Sequence, residues 1–517
     1  MKKLPIGIQT FEKIRDKLEN YVYVDKTKYA FELINSGVYY FLARPRRFGK
    51  SLFLSTLKAI FEGKKEYFEG LYIYEKWNWE DKYPVIHISF GSGLSNSKER
   101  IQSTIKSILK ENQKNLDVYC EDFEELSICF KELIINTYER YGKKVVILVD
   151  EYDKPILDNI ENIEMATLAR EELKNIYSVL KDSDPYIKFV FLTGVSKFSK
   201  TSIFSGLNNL KDISLDSRYA TICGYTQEEL ETSFAEHLED VRLNEVKEWY
   251  NGYYWGVDSV YNPFDILLFL DNPDKQLKNY WFETGTPTFL MKLIERNNYF
   301  LPSLSNLVVD ESLLSSFDID NIRLEVILFQ TGYLTIDKIA TTPYGAIEYH
   351  LRLPNKEVKI SFNDFIIDRL IGDRDIIIKK SNIYKSLFSK DLETFKNLLV
   401  SLFASIPYNN YVNSSFYTSE GFYATVIYVY LQSLGMDVIG EDVTNRGRID
   451  ITVKFPSAIY ILEIKVTDED PLSQIRERRY YEKYLSEGKE IYLVGINFDK
   501  ASKNISEFKW ERVNDKL

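Results

Sequence analysis

Two groups of residues in this sequence have the types and spacing that phosphate chemistry needs. The first pairs Gly49-Lys50-Ser51 with Asp150-Glu151. Backbone N–H groups of a tight turn and of the helix that follows it can converge on phosphate oxygens. A lysine then reaches the outer phosphates and a serine hydroxyl ligates Mg²⁺. Asp150 can hold the same Mg²⁺, often through water, and Glu151 can orient an attacking water. The second group is Asp450 with Glu463-Ile464-Lys465. An Asp on one strand and Glu-x-Lys on the next puts the charges on one face, because alternate strand residues point the same way. Carboxylates around Mg²⁺, with a lysine to position water and stabilise negative charge, are what metal-dependent phosphodiester hydrolysis requires. Each group also has a plain reading: Gly-Lys-Ser as an ordinary helix start, and Glu-x-Lys as a cross-strand ion pair.

The flanking elements favour the chemical readings. Residues 38–43 read as a short buried strand and 51–61 as a helix, so Arg44-Pro45-Arg46-Arg47-Phe48-Gly49-Lys50-Ser51 occupies a strand-to-helix turn. The usual first glycine of such a loop is replaced by Arg44, and Pro45 removes one N–H. The aliphatic run 144–149 reads as a central parallel strand that delivers Asp150 and Glu151 at its C-terminal end. Ligands of open α/β sheets bind at that end. Thr193 and Ser196 close the next strand, 188–193, in the position of a γ-phosphate contact or a helix cap. With a strand at 85–90 and a long amphipathic pattern over 98–141, the first 222 residues read as α/β units on a parallel sheet.

From about residue 224 the texture becomes helical. A capping box joins Thr226 to Glu229, and helical patterns run to about residue 300 with an aromatic break at 249–255. A mixed region, 324–362, carries hairpin-like runs at 332–336 and 349–353, and 364–402 is helical again. The last unit reads helix (420–434), two strands (the second 459–466), helix (472–485) and strand (490–496). Glu420 opens its first helix and Gln474 its second. The expected division is therefore 1–222, 223–375 and 376–517.

Bulk properties narrow the function. At 517 residues the chain needs several cores. A net charge of −11 argues against non-specific coating of nucleic acid, although a local basic surface stays open. Arg446, Arg448, Arg476, Arg478, Arg479 and Lys483 could form one, but neighbouring acids such as Glu477 and Glu482 support a mixed solvated surface equally. His87, His237 and His350 are too scattered for a histidine zinc site. Cys120, Cys129 and Cys223 lack paired spacing and read as buried thiols of a reducing compartment. No apolar run has the ~18 residues of a membrane span, so a cytoplasmic protein is expected.

Four blocks carry a family resemblance: Tyr23-Val24-Asp25-Lys26-Thr27, the run from Phe41 to Ser51, Val149-Asp150-Glu151-Tyr152-Asp153-Lys154-Pro155, and the run from Phe204 to Leu210. They resemble the bacterial AAA-ATPase-like proteins with a C-terminal PD-(D/E)XK nuclease-superfamily domain. The resemblance implies an α/β protein. Its parts would be a P-loop AAA-like parallel-sheet domain, a helical or winged-helix-like middle region and a restriction-endonuclease-like α/β domain. It implies ATP and Mg²⁺ held by Arg44, Arg46, Arg47, Phe48, Gly49, Lys50, Ser51, Asp150 and Thr193, with Glu151 handling water and Asp25 and Lys26 nearby. In the family the loop also lacks the first glycine. For the nuclease it implies Glu420, Asp450, Glu463 and Lys465, with Mg²⁺ on Asp450 and Glu463; Ala424 stands where the family often has a histidine. The implied partner is DNA or RNA, recognised mainly through its backbone. A homo-oligomer is also compatible with the resemblance, with Arg218 as a candidate to reach a neighbour's site, a role that any surface arginine could serve. Two functions are compatible with this reading: an ATP-dependent nuclease, or an ATP-switched interaction protein whose nuclease-like domain only binds.

Overall fold

The computed structural model describes residues 1–93, 95–121, 123–198, 209–281, 290, 292–294, 299–314, 319, 322–371, 376–406, 419–467 and 469–513. Most of the 204–210 block and Asp468 lie outside the described residues. The chain forms two compact units, Met1–Tyr280 with Val309–Tyr349, and Trp281–Val308 with His350–Leu517.

The first unit is built on β1 (Tyr39–Ala43), β2 (Val85–Ser89), β3 (Val145–Asp150), β4 (Ile187–Gly194) and β5 (Lys211–Asp212). All neighbours are parallel, in the order β2-β3-β4-β1-β5. Every residue of β3 is buried, which is why its sequence is continuously apolar until Asp150. The register sets Ser89 beside Asp150, Leu42 beside Thr193 and Ala43 beside Gly194. The C-terminal ends of β1, β3 and β4 therefore share one end of the sheet. Helix Lys50–Phe61 starts there and buries Phe53, Leu54, Leu57, Ile60 and Phe61 against the sheet.

The amphipathic pattern over 98–141 is two helices, Lys98–Leu116 and Leu126–Tyr141. Asp117, left-handed at φ 51°, ends the first and turns the chain back. That reversal brings the Cα atoms of Cys120 and Cys129 to 5.1 Å, and the two sulfurs are bonded. The reading of all three cysteines as thiols is thereby corrected; Cys223 is the free, buried one.

The unit continues through the capping box of helix Gln227–Ser233, present as expected, and β6 (Tyr253–Tyr254) with β7 (Ser259–Val260). β8 (Val308–Asp310) follows, then helix Leu324–Thr331, β9 (Thr335–Thr341) and β10 (Ile347–Arg352), the division between the units falling after Val308 in β8 and after Tyr349 in β10. The three strands order as β8-β10-β9.

The second unit carries β11 (Asp437–Thr444), β12 (Gly447–Lys454), β13 (Ala458–Lys465), β14 (Glu490–Asp499) and β15 (Asn504–Arg512), paired in sequence order. Only β13 and β14 are parallel. Helix Glu420–Ser433 is buried from Phe422 onward, so its sequence shows no amphipathic stripe. The region expected to be helical over 364–402 is three helices, Lys356–Ile371, Ile376–Phe388 and Leu392–Ala404. The helix expected over 472–485 is an α-helix only over Pro471–Arg478; Arg479 is left-handed and a 3₁₀ stretch follows. The protein is thus α/β: a parallel sheet, helices in the middle, and a C-terminal mixed sheet. No helix among the described residues is long and apolar enough to cross a membrane.

Candidate functional site

At the nucleotide-type site, Gly49 supplies the backbone that the turn requires. Its φ of 95° is left-handed, and no atom beyond its chain neighbours lies within 4 Å of where a Cβ would stand. As N-cap of helix Lys50–Phe61 it offers no side-chain acceptor, so it leaves the first-turn N–H groups without a side-chain cap. Lys50 is 6% exposed, and its ammonium donates to the carbonyls of Arg44 and Pro45 at 2.9 and 2.8 Å. Burial lowers its pKa, opposed by the nearby Asp150 carboxylate. Ser51, half-buried, follows on the first helical turn.

Asp150 is held from two sides. Its Oδ1 accepts from the Thr193 hydroxyl at 2.7 Å and from the Glu151 N–H at 3.1 Å. Thr193 therefore orients Asp150. Glu151 has a left-handed backbone, φ 51°, and its carboxyl pKa is raised by burial and by Asp150. An exposed Arg46 works against that rise. These residues, Gly49, Lys50, Ser51, Asp150, Glu151 and Thr193, cluster at one end of the sheet.

Others from the same motifs are turned elsewhere. Arg44 is 1% exposed, donates to the Ser214 and Tyr219 carbonyls at 2.7 and 3.3 Å, and lies 4.3 Å from the Trp255 ring centre. Burial brings its pKa down to about 10. Phe48 packs edge-on to Tyr253 and Trp255, and the Arg47 guanidinium sits 3.8 Å over Phe264. Lys26 binds Glu229 and the Thr221 carbonyl, while Asp25 caps Thr27 and accepts from Tyr72. Arg218 is exposed and paired with Asp216. Arg44→Met is expected to cost about 3 kcal/mol of stability, because it strips charged partners from buried carbonyls; urea unfolding of the full chain measures it.

Asp153, within the run 149–155 but given no role from the sequence, belongs to the same arrangement. It is buried, and its Oδ2 accepts from the Ser196 N–H and hydroxyl at 2.6 Å each and from Val195 N–H at 3.0 Å. This staples the loop after β4 to the end of β3. Only its offset in Asp150-Glu151-Tyr152-Asp153 hinted at it.

The second site sits where β12 and β13 meet helices Glu420–Ser433 and Pro471–Arg478. Asp450 Oδ2 accepts from the Ile464 N–H at 2.7 Å. Glu463 is 1% exposed; its Oε1 accepts from Lys465 Nζ at 3.3 Å and from the Gln474 amide, while Oε2 has no hydrogen-bond partner. Lys465 also reaches Glu420 Oε1 at 3.4 Å. Gln474 gets this close because β14 has Gly495 in register with Glu463: a Cβ there would stand 2.8 Å from Leu472 N. Burial raises Asp450 to about 6, and burial together with the negative charge of Asp450 raises Glu463 to about 8. Burial opposes the Lys465 charge, but Glu463, Asp450 and Glu420 together raise its pKa. All four predicted residues are thus brought together. Ala424, by contrast, is buried and offers no ligand.

The basic residues around this site are largely paired with acids. Arg446 and Arg479 face Glu482, Arg448 pairs with Glu441, Arg476 with Glu511, and Lys483 with Asp442. Arg478 donates to the Arg446 carbonyl.

A hard divalent cation fits the second site. The donors are carboxylate oxygens, and Glu463 Oε2 is a buried oxygen without a partner. Among the described residues no three His, Cys, Asp or Glu side chains are grouped so as to hold a metal ion by themselves. Mg²⁺ does not need one, since it binds through one or two carboxylates and completes its shell with water and substrate phosphate. The uncapped helix start at Lys50 and the open cradle over Gly49 fit a phosphate in the same way.

Comparison with known proteins covers both sites. The family described as "Predicted AAA-ATPase" matches residues 5–204, and the family described as "PD-(D/E)XK nuclease superfamily" matches residues 418–508. A protein of Azotobacter chroococcum mcd 1, described as "Uncharacterized protein in vnfD 5'region", is 44% identical over 515 residues, 98% of each chain.

Proposed function

The chain belongs to the family that joins a predicted AAA-ATPase domain to a PD-(D/E)XK nuclease-superfamily domain, and from that premise we propose that it binds Mg·ATP at Lys50, Ser51 and Asp150 and hydrolyses nucleic-acid phosphodiesters at Asp450, Glu463 and Lys465. The segments assigned to these roles are 1–222 for ATP and 376–517 for hydrolysis, with 223–375 between them. The compartment is the cytoplasm, the substrate is DNA or RNA held by its backbone, and assembly into a homo-oligomer belongs to the same proposal.

In this reading Lys50 exchanges two loop carbonyls for phosphate oxygens, and the first-turn N–H groups of its helix complete the cradle. Thr193 keeps one Asp150 oxygen fixed, which leaves the other oxygen as the one that would hold a metal. Glu151, with its raised pKa, takes the proton of an attacking water. Arg46, exposed at the loop, is the arginine free to meet phosphate, whereas Arg44 holds the loop in shape. At the second site a bound Mg²⁺ would neutralise phosphate charge and lower the pKa of its water. Lys465 pairs with Glu420 and Glu463, where its charge opposes the rise of Glu463 and would supply a positive charge to a phosphate bound there.

The observation that carries the nuclease reading is the unpartnered Glu463 Oε2, buried next to a second raised carboxyl. Calorimetric titration of Mg²⁺ into the full-length protein tests it: binding that is lost in Asp450→Ala supports the site, and identical heats from wild type and variant sink it.

A pH dependence follows. Asp450 and Glu463 have native pKa values raised to about 6 and about 8, so between about pH 4 and pH 8 the native state holds more protons than the unfolded chain. Metal-free stability therefore falls as pH rises through that window, and it is fullest at the acid end. Mg²⁺ displaces those protons, so its stabilising effect grows with pH. Thermal unfolding in chelator and in Mg²⁺ measures this, and Glu463→Gln removes most of the slope.

One observation favours a second reading, an ATP-switched binding protein: the basic residues around Asp450 are taken up by acids rather than left free for phosphates. ATP turnover with no cleavage of any nucleic acid would select it.

A further inference from the structure

We infer, on the nucleotide-binding reading above, that residues 330–332 read the state of the nucleotide site and carry it into the helix Leu324–Thr331. That helix is apolar where buried, through Leu324, Val326, Ile327 and Leu328, except for Gln330. Both ends of the Gln330 amide are used: Oε1 accepts from the Lys197 N–H at 3.2 Å, and Nε2 donates to the Leu314 carbonyl at 3.2 Å. Lys197 directly follows Ser196, which Asp153 staples to the end of β3, and the Lys197 ammonium pairs with Asp212 on β5. A hydrogen-bonded path thus leads from the acidic end of β3 through the loop after β4 to Gln330.

A second contact reaches the same place from the phosphate loop. Gly332 ends the helix in a left-handed conformation, φ 91°, and a Cβ there would stand 2.9 Å from Pro45 Cβ. Pro45 is one of the two residues whose carbonyls hold Lys50 Nζ. A cavity of about 30 Å³, lined by Arg44, Pro45, Lys197, Asp212, Trp255 and Gln330 among others, lies between the two approaches. That is room for about one water, so the loops are not packed solid there.

Both routes move when the site fills. Lys50 turning to phosphate leaves the Pro45 carbonyl without its donor, on the residue whose ring abuts Gly332. Metal taken up by Asp150 changes the hold on Thr193, three residues before Ser196 on the path to Gln330. Two loops with separate responses converge on one short segment, which gives that segment two arrangements for the nucleotide to choose between. Gln330 is a positioning residue in this scheme and touches no nucleotide.

Amide hydrogen exchange on the full-length chain, with and without Mg·ATP, tests the coupling. In wild type, Mg·ATP should slow exchange across 324–335 by about tenfold. Gln330→Met keeps the volume but removes both hydrogen bonds; it should abolish that response while affinity for a fluorescent ATP analogue changes less than about threefold. Wild type that binds ATP with no change across 324–335 overturns the inference and leaves the nucleotide site standing. A Gln330→Met protein that keeps the full response also overturns it. Wild type that binds no ATP sinks the nucleotide reading and this inference with it. If Gln330→Met does not fold, the wild-type comparison alone still decides.

Discussion

Full-length protein carrying Lys465→Ala is expected to remain folded in Mg²⁺ and to cleave nucleic acid about 10²–10³-fold more slowly than wild type. Lys465 Nζ lies 3.3 Å from Glu463 Oε1 and 3.4 Å from Glu420 Oε1, and the charge of Asp450 also acts on it. Without that ammonium, Asp450 and Glu463, both already raised by desolvation, lose the positive charge that works against the rise. Their protonation then competes more strongly with metal, and the positive charge beside the phosphate is gone. Both losses fall on the transition state more than on substrate binding, so kcat should drop with little change in KM. Lys465→Arg should recover only part of the rate, because a planar guanidinium does not replace a compact ammonium between two carboxylates. Initial rates on DNA and RNA, with circular dichroism as the folding control, measure the effect. Equal rates in wild type and Lys465→Ala would remove the lysine from the chemistry.

The second large effect is at the other site. Lys50→Ala should weaken ATP binding at least about 100-fold, about 2.7 kcal/mol. Lys50 is a buried cation whose present partners are two main-chain carbonyls of its own loop. Carbonyl dipoles satisfy its N–H groups but do not neutralise it, and desolvation lowers its pKa. A polyphosphate offers full negative charge at the same point, so the exchange is strongly favourable. Alanine offers neither the charge nor the donors. Titration with a fluorescent ATP analogue reads the change directly, and unaltered affinity would refute the phosphate role of the loop. Arg44→Met is the contrasting case: its guanidinium is bonded to Ser214 and Tyr219, so stability should fall before affinity does.

The features that could be read from the sequence are those in which neighbours along the chain set the outcome. β3 is legible because a strand buried on both faces is continuously apolar, and the acids that end it stand out. Glu463 and Lys465 are legible because two charges at alternate positions of an apolar strand have few innocent explanations. What escaped depends on distant partners. Asp153 looks like any acid after a strand until β4 brings Ser196 against it from 43 residues away. Lys26 resembled a nucleotide contact, but its partner Glu229 lies 203 residues on. Arg44 stood in for a missing glycine, yet it points inward to Ser214 and Trp255, partners that no local pattern marks. The Cys120–Cys129 bond depended on a single left-handed residue, Asp117, breaking what looked like one helix. β15 was missed because its exposed, charged edge carries no clear alternation.

The account stands or falls on whether Asp450, Glu463 and Lys465 cut phosphodiesters. The most direct measurement incubates purified full-length protein with plasmid, linear duplex, single-stranded DNA and RNA, in Mg²⁺ or Mn²⁺, beside Asp450→Ala and Lys465→Ala. The account predicts cleavage of at least one substrate that chelator stops and both substitutions abolish. Cleavage by none of the four, from protein that still turns over ATP, or cleavage that survives both substitutions, would contradict it.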